Sequence, residues 1–409
     1  MGERAASQRF FAPCPRGLEA ALASELAAIG ADAISTTDGG VACCGEAALL
    51  YRANLESRIA SRILLHVGEG SYRNEEDIYR CAYRLPWHEW FERKRTIRIA
   101  VSAIRSPLKS LDFVTLRIKD AVCDVFRRAT GSRPDVDTRF PDVRIHAFID
   151  ARSVSFYLDT SGEPLFKRGW RTGAVDAPLR ENLAAGILRL AGWEPQTPLL
   201  DPMCGGGTFV LEAATHALGI APGANRGFGF ERLLLYDPRL WRQIRSASDS
   251  GRMVSVPLAI YASDRDQKAI RATTEALQRA GLEQSVHLER RDVLDAAPPA
   301  ENGILVANPP YGVRIGEQQA LAAFYPQLGD VFKKRFAGWR CFLFTADTRL
   351  PKLIGLRPSR RTPLYNGALE CRLYDFAIVA GSMRRPEAPH PPAISARPMS
   401  DRPHANKTK

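Results

Sequence analysis

The sequence predicts an α/β protein in which a basic α+β half precedes a domain built on a largely parallel sheet. The first observation is length, because 409 residues exceed one ordinary domain of roughly 150 residues. The second is a rhythm of short apolar runs and amphipathic helices over residues 163–381, which is typical of βαβ units. The third is composition: 45% hydrophobic and 25% charged residues are those of a globular chain.

The first segment, residues 1–62, is predicted to be a small α+β unit. A short extended stretch near Phe10 precedes a helix that stops at Gly30. Four apolar residues at helical spacing form its buried face: Leu18, Leu22, Leu26 and Ile29. A second helix is expected to begin near Glu46.

The second segment, residues 63–162, is predicted to contain a strand over 97–103 and a helix over 113–129. A hairpin turning at 150–152 should follow. Basic side chains are frequent here: Arg105, Lys109, Arg117, Lys119, Arg127, Arg128, Arg133 and Arg139. They indicate a nucleic-acid surface, and a merely solvated basic face is the alternative.

The net charge of +12 and the pI near 9.5 favour polyanionic partners, RNA or DNA first. No run approaches the ~18 apolar residues that a membrane-spanning helix needs, and no signal peptide is apparent. Residues 382–409 are rich in Pro, Arg and Lys. Because they can bury little apolar surface, we expect a disordered basic tail that adds a weak hold on nucleic acid.

The eight cysteines are scattered, without a C-x-x-C pair or zinc-finger spacing. They are expected to be reduced thiols in a cytoplasmic protein. No metal ion is expected, and no cysteine is a convincing nucleophile.

A glycine-rich turn links an apolar run to a helical pattern at Asp201-Pro-Met-Cys204-Gly205-Gly-Gly207-Thr208. Glycines let a backbone approach a ligand closely, and the helix start offers free N–H groups. The turn lacks the Gly-Lys-Ser/Thr of a Walker A loop and departs from the dinucleotide G-x-G-x-x-G pattern. Alone it is weak evidence, since many nucleotide-binding folds have one.

Two acidic residues follow the next apolar runs. Asp264 could accept hydrogen bonds from both hydroxyls of a ribose, whereas the alternative is a helix cap at Asp264 or Asp266. Asp292 could meet an adenine amino group, and an ordinary surface carboxylate is the alternative.

The decisive element is Asn308-Pro309-Pro310-Tyr311, directly after the apolar run 303–307. An amino group on a base is a poor nucleophile because its lone pair is conjugated into the ring. The Asn308 side-chain carbonyl and the Pro309 backbone carbonyl could both accept hydrogen bonds from it. Two prolines stiffen the loop, and Tyr311 could stack on the base.

Together these motifs resemble those of class I amino-methyltransferases. Three further stretches resemble one branch of that class: Phe166-Lys-Arg-Gly-Trp-Arg171, Ala177-Pro-Leu-Arg-Glu-Asn182-Leu-Ala-Ala and Asn366-Gly-Ala-Leu-Glu-Cys371. This branch comprises bacterial guanine-N2 methyltransferases of large-subunit ribosomal RNA that carry an amino-terminal THUMP domain. The resemblance covers nearly the whole chain, although Gly206 stands where many relatives have Ser.

The resemblance implies a ferredoxin-like domain (1–62), a THUMP RNA-binding domain (63–162) and a Rossmann-like methyltransferase domain (163–381) with a mostly parallel seven-stranded sheet. It implies S-adenosylmethionine as cofactor and residues 308–311 as catalytic. The implied cofactor-binding residues are Asp201, Cys204, Gly205, Gly207, Thr208, Asp264, Asp292 and Asn182. Some relatives carry a second methyltransferase domain after the first, whereas this sequence shows one, so a single activity is expected.

Three other functions stay open from the sequence. A THUMP-containing guanine-N2 methyltransferase of transfer RNA is the nearest. A DNA amino-methyltransferase shares the Asn-Pro-Pro-Tyr element, but no helix-turn-helix or zinc module is visible. A non-catalytic RNA-binding assembly factor is opposed by the intact motifs.

Overall fold

A computed structural model describes residues 7–170, 179–253, 256–310 and 315–379, and the side chains of 315–318 lie outside this description. The described strands form two seven-stranded sheets, ordered β2-β3-β1-β4-β7-β6-β5 and β10-β9-β8-β11-β12-β14-β13. Within the described residues, no helix combines the length and the apolar character needed to cross a bilayer.

The first module has a βαββαβ element order. Its elements are β1 (Gln8–Pro13), α1 (Glu19–Ile29), β2 (Asp32–Thr37), β3 (Gly40–Gly45), α2 (Ala47–Glu56) and β4 (Leu64–Ser71). Helix α1 ends where predicted, because Gly30 adopts a left-handed conformation with φ of 102° and caps the helix. The helix begins after Leu18, and the predicted apolar face is buried. This arrangement is the expected ferredoxin-like unit.

The second module packs two helices against a mixed sheet. Its elements are α3 (Glu75–Tyr83), β5 (Ile97–Ala103), α4 (Leu111–Thr130), β6 (Val143–Ile149) and β7 (Ser153–Asp159). Strands β5 and β6 are parallel, and β6 and β7 form the predicted hairpin. Ser110 caps α4 by accepting a hydrogen bond from the Phe113 N–H at 3.2 Å.

Strand β4 joins the two amino-terminal modules. It pairs with β1 only through Phe10–Leu65 and Phe11–Leu64, whereas it pairs with β7 from one end to the other. The two modules therefore share one continuous sheet.

The carboxyl-terminal domain alternates strands and helices. Its helices are α5 (Glu181–Leu190), α6 (Thr208–Ala217), α7 (Pro238–Ser250), α8 (Gln267–Ala280), α9 (Ile315–Arg335) and α10 (Leu350–Leu353). Its strands are β8 (Leu199–Asp201), β9 (Ile260–Asp264), β10 (His287–Arg290), β11 (Gly303–Ala307), β12 (Trp339–Thr345), β13 (Arg360–Asn366) and β14 (Leu369–Ala377).

Strands β8 to β12 are parallel, which confirms the predicted α/β architecture. The apolar pattern of residues 374–379 by itself predicts a late strand at a sheet edge, and the predicted edge position is wrong. Strand β14 lies between β12 and β13, antiparallel to both, and β13 forms the edge. Strand β13 contains Pro363, a residue without an N–H that edge strands tolerate and interior strands do not.

A buried ion-pair network ties the carboxyl-terminal domain to the first module. Arg168 is 2% exposed. Its Nε donates to Glu212 at 3.1 Å, and its Nη2 donates to the carbonyl of Arg58 at 2.7 Å. The Arg58 guanidinium lies 3.4 Å from the same glutamate. Removing one partner would leave a buried charge uncompensated, so the two domains are expected to hold a defined orientation.

Candidate active site

With the exception of Asn182, the predicted site residues that the structure describes lie at the carboxyl ends of the parallel strands. Leu200 pairs with Leu305, Asp201 with Ala262, and Asp264 with Arg290, so β10, β9, β8 and β11 end side by side. In order across this edge lie Asp292, Asp264, Asp201 and Asn308. Neighbouring strands are ~4.8 Å apart, so three intervals span about 14 Å.

The glycine turn occupies the centre of this edge. Gly205 and Gly207 have φ angles of 53° and 75°, in the left-handed region that glycine adopts without strain. The Cys204 N–H donates to the Ser263 carbonyl at 3.0 Å, which fastens the turn to β9. Helix α6 then begins at Thr208, which is buried.

Thr273 of α8 is a supporting residue that the sequence analysis missed. Its Oγ1 donates to the Gly205 carbonyl at 2.8 Å, and it lies 3.8 Å from the Cys204 Sγ. A Cβ added at Gly207 would come within 2.7 Å of its methyl group. The available signal was a polar residue on the inward face of α8, which it shares with Ala276 and Leu277.

Asp264 connects strand β9 to the glycine turn. Its Oδ2 accepts a hydrogen bond from the Gly205 N–H at 3.0 Å, and its Oδ1 accepts one from the Asp266 N–H at 2.9 Å. The cap of α8 is instead Asp266, whose carboxylate accepts from the Lys268 N–H at 2.9 Å. The structure therefore assigns the helix cap to Asp266, and the ribose role of Asp264 stays a prediction.

Asp201 is almost fully buried, at 1% exposed, where β8 enters the turn. Burial raises its pKa to about 8, and the nearby Asp264 carboxylate adds to the rise, although a hydrogen bond from the Met203 N–H opposes it. Burial also raises the pKa of the Cys204 thiol, with further contributions from both carboxylates. Cys204 is thus a packed, protonated thiol and a poor nucleophile.

Asp292 follows β10 and caps a short 3-10 turn (Val293–Asp295), accepting from the Leu294 N–H at 2.9 Å. The backbone beside it is held by the Arg291 N–H, which donates to the Asp264 carbonyl at 3.1 Å. Asp292 is half-buried and lies at the outer end of the row.

Asn308 and Pro309 come directly after the last residue of β11, where Pro309 is buried and Asn308 is half-buried. Pro310 is exposed, and Tyr311 lies outside the described residues. Since β11 lies beside β8, the Asn308 position neighbours the buried Asp201. The structure thus brings Asn308-Pro309-Pro310 to the same edge as the glycine turn.

Asn182 lies away from this row. It is fully buried at the start of α5, and its side-chain N–H groups donate to the Ile59 carbonyl at 3.1 Å and to the Ser61 hydroxyl at 3.0 Å. The structure thus gives its amide a contact between domains, and its proposed place at the cofactor stays a prediction.

Parts of the three stretches that marked the family branch converge on Arg180. Its guanidinium lies 5.0 Å from the centre of the Phe166 ring. Gly367 lies beside the same guanidinium, because a Cβ added at this glycine would be 3.5 Å from it. Arg171 and residues 177 and 178 lie outside the described residues.

Among the described residues, no group of three or more His, Cys, Asp and Glu side chains is arranged to hold a metal ion. A glycine turn after β8, acids after β9 and β10, and Asn308-Pro309-Pro310 after β11 define a class I methyltransferase site on a Rossmann-like sheet.

Family comparisons agree with this class. Residues 168–375 match the RMKL-like methyltransferase domain, residues 72–159 match the THUMP domain, and residues 9–64 match the RlmL ferredoxin-like domain. The chain belongs to the family of RMKL-like, S-adenosylmethionine-dependent methyltransferases.

Curated relatives include a Synechocystis protein provisionally named an RNA methyltransferase, 39% identical over 91% of this chain and 98% of its own length. The ribosomal RNA large subunit methyltransferase K/L of Syntrophotalea carbinolica is 40% identical over 94% of this chain and 55% of its own length. The chain therefore spans about half the length of the K/L relatives that it matches.

Solved structures share the fold along most of the chain. The crystal structure of SMU.472, a protein provisionally named a methyltransferase and complexed with SAH, is 30% identical with a TM-score of 0.84, covering 93% of this chain and 100% of that one. TrmN from Thermus thermophilus is 22% identical with a TM-score of 0.67, covering 91% and 100%, and shows the fold alone.

Proposed function

We propose that this chain transfers a methyl group from S-adenosylmethionine to the exocyclic N2 amine of a guanosine in large-subunit ribosomal RNA. The observation that carries the proposal is Asn308-Pro309-Pro310 at the end of β11, on the edge that also holds the glycine turn. The names of the K/L relatives support ribosomal RNA as the substrate.

The residues at this edge fit the cofactor. A Cβ at Gly205 would meet nothing within 4 Å, so the turn is open on that side. We assign the ribose hydroxyls to Asp264, the adenine amino group to Asp292 and the methionine end to the turn from Asp201 to Thr208, with Cys204 and Gly207 supporting it. When bound, S-adenosylmethionine supplies an electrophilic methyl group on a positively charged sulfur.

Asn308 and Pro309 would activate the target amine. Two carbonyl acceptors at the amine hold its hydrogens so that the nitrogen lone pair points at the methyl group. Pro310 keeps the loop stiff, and Tyr311 would stack on the base. The proton can leave to water after transfer, so no strong general base is needed, and neither is a covalent intermediate. The barrier falls mainly through positioning.

The amino-terminal modules would bind the RNA. The THUMP domain, the net charge of +12 and the RNA methyltransferase names of the relatives support this part of the proposal. A base inside a helix would have to leave its stack, at a cost of a few kcal/mol, which is smaller in a loop.

Eight free cysteines are consistent with action in the cytoplasm. The domain limits 1–62, 63–162 and 163–381 stay predictions, and the basic tail 382–409 lies outside the described residues.

The test is methyl transfer from radiolabelled S-adenosylmethionine to total RNA that lacks the modification, followed by nucleoside analysis. Label in N2-methylguanosine of large ribosomal RNA is the expected result. Label in transfer RNA would move the function to the tRNA alternative while keeping the mechanism. No label in any RNA, with the cofactor still bound, would overturn the proposal.

A further inference from the structure

Helix α7 carries an exposed row of arginines outside the elements of the proposed active site. Arg239, Arg242 and Arg245 are all exposed and stand three residues apart. At about 100° per residue, this spacing places them within roughly one third of the helix circumference. Trp241 of the same helix is 5% exposed and packs into the protein, whereas the three arginine side chains remain exposed.

Local acids do not neutralise these charges. In the part of the chain that the structure describes, no Asp or Glu forms an ion pair with any of the three arginines. The hydrogen bonds of Arg242 and Arg245 go to backbone carbonyls, of Pro238 at 3.1 Å and Ala224 at 3.0 Å. Each guanidinium has five N–H donors, so donors remain for an anion.

Helix α4 of the THUMP module shows the opposite arrangement. Its Lys119 lies 2.6 Å from Asp120, and its Arg127 lies 2.7 Å from Asp124. Arg117 is ion-paired with Glu76 of the neighbouring helix. Much of the positive charge that the sequence shows on α4 is therefore compensated within the module, whereas that of α7 is available to a partner.

Helix α7 also lies where the three modules meet. Its Trp241 ring lies 6.0 Å from the Tyr51 ring of the ferredoxin-like module. The segment just before the helix contacts the THUMP module, because the Leu234 N–H donates to the Trp90 carbonyl at 2.9 Å. An RNA that contacts both the THUMP module and the methyltransferase domain can therefore reach this helix.

We infer that Arg239, Arg242 and Arg245 bind the phosphate backbone of the RNA substrate, as a contact separate from the THUMP domain. This inference rests on the proposed RNA substrate. A guanidinium matches phosphate geometry through paired N–H donors. Arg239 and Arg242 line a shallow groove together with Ser246, whose hydroxyl is a further donor, and Arg245 lies on the same helix outside this groove. Such contacts set position and affinity, and they carry no base specificity.

The experiment compares wild type, R239Q/R242Q/R245Q and R239K/R242K/R245K. A matched control, R16Q/R52Q/K333Q, also removes three charges, but from residues ion-paired with Asp38, Glu56 and Asp330. The probe is an unmodified transcript of large-subunit ribosomal RNA, and its affinity is measured over a series of salt concentrations. Binding of S-adenosylhomocysteine and thermal unfolding report whether each variant is intact.

The glutamine triple variant should bind the transcript about 10- to 100-fold more weakly at physiological salt. Its log–log salt slope should fall by about 2 to 3, because each phosphate contact contributes a little under one. The lysine variant should keep most of the slope, the control variant should resemble wild type, and cofactor affinity should not change. An unchanged slope in the glutamine variant, with wild type binding normally, would overturn this inference alone. If wild type itself binds no RNA, the proposed function falls and the inference falls with it.

Discussion

Two buried carboxylates, each at the end of a strand, behave oppositely in the two sheets. Asp159 ends β7 of the amino-terminal sheet and is ion-paired with Arg62, with His146 at 3.5 Å. Burial alone would raise its pKa, but these partners outweigh burial and lower it. Asp201 ends β8 of the parallel sheet, and burial together with Asp264 raises its pKa to about 8.

The difference distinguishes the end of β7 from the sheet edge that we propose binds the cofactor. Arg62 and His146 lie beside Asp159 within the amino-terminal half, so this carboxylate already has its partners in the protein. At the parallel edge, no cation of the described residues is ion-paired with Asp201 or Asp264. Because Asp201 has no cation partner in the described part of the chain, its raised pKa keeps it protonated at neutral pH, and a positively charged ligand such as the sulfonium of S-adenosylmethionine would favour its ionised form. Parallel strands make this possible because their carboxyl ends meet at one edge.

The largest effect is expected at Asn308. Replacing it with Ala should lower the rate of methyl transfer about 10²- to 10³-fold, because one preorganised acceptor at the amine is lost. Asn308→Asp, which keeps an acceptor, should retain more activity than Ala. Single-turnover transfer of labelled methyl measures both variants. Equal losses of cofactor and RNA affinity would show that Asn308 maintains structure rather than chemistry.

The two strand-end acids should respond oppositely to pH. Folded Asp201 keeps its proton up to about pH 8, whereas the unfolded chain releases it near pH 4, so wild-type stability falls as pH rises through that window. Asp201→Asn mimics the protonated form and should gain about 2–4 kcal/mol relative to wild type between pH 5 and pH 8.

Asp159→Asn is the matched variant in the other sheet. Because the pKa of Asp159 is lowered, its carboxylate stabilises the fold at neutral pH and loses that effect as pH falls below the unfolded value. The variant should cost about 2–4 kcal/mol at pH 7, since it removes a buried partner of Arg62. Urea unfolding at several pH values measures both variants, and parallel pH profiles for the two would contradict the comparison.

Cofactor affinity should distinguish Asp264 from its neighbour Asp266. Asp264→Ala should weaken binding of S-adenosylhomocysteine about 10- to 100-fold, as expected for losing hydrogen bonds to a charged acceptor. Asp266→Ala should instead cost about 1 kcal/mol of stability by removing the cap of α8, with little change in affinity. Calorimetric titration and thermal unfolding separate the two effects, and the reverse pattern would exchange the assigned roles.

The smallest difference is expected within the glycine turn. Gly207→Ala forces a Cβ to within 2.7 Å of Thr273 at a positive φ, so stability should fall by about 1–3 kcal/mol. At Gly205 the same change meets open space and costs about 1 kcal/mol for the left-handed conformation. There the Cβ would enter the proposed cofactor space, so affinity for S-adenosylhomocysteine should fall more than stability does. Equal affinity losses in both variants would show that the turn acts only as a structural unit.

Local patterns predicted several of the elements correctly. Helix α1 and its Gly30 cap, the hairpin of β6 and β7, and the strand before Asn308 all follow from spacing within a few residues. The edge position of β14 was wrong, because the order of strands depends on a long-range pairing with β12. Thr273 was missed for a similar reason, since its partner Gly205 is 68 residues away.

The sequence by itself determined the order of modules, the strand–turn–helix units and the residue types at the carboxyl ends of the strands, because each depends on short-range periodicity. Only the tertiary structure decided that burial raises the pKa of Asp201 and that Asp266 and not Asp264 caps α8. It also decided that Arg117 and Arg127 of α4 are ion-paired, whereas no ion pair among the described residues involves an arginine of α7. These properties depend on burial and on charges from distant segments, and spacing along one chain does not encode them.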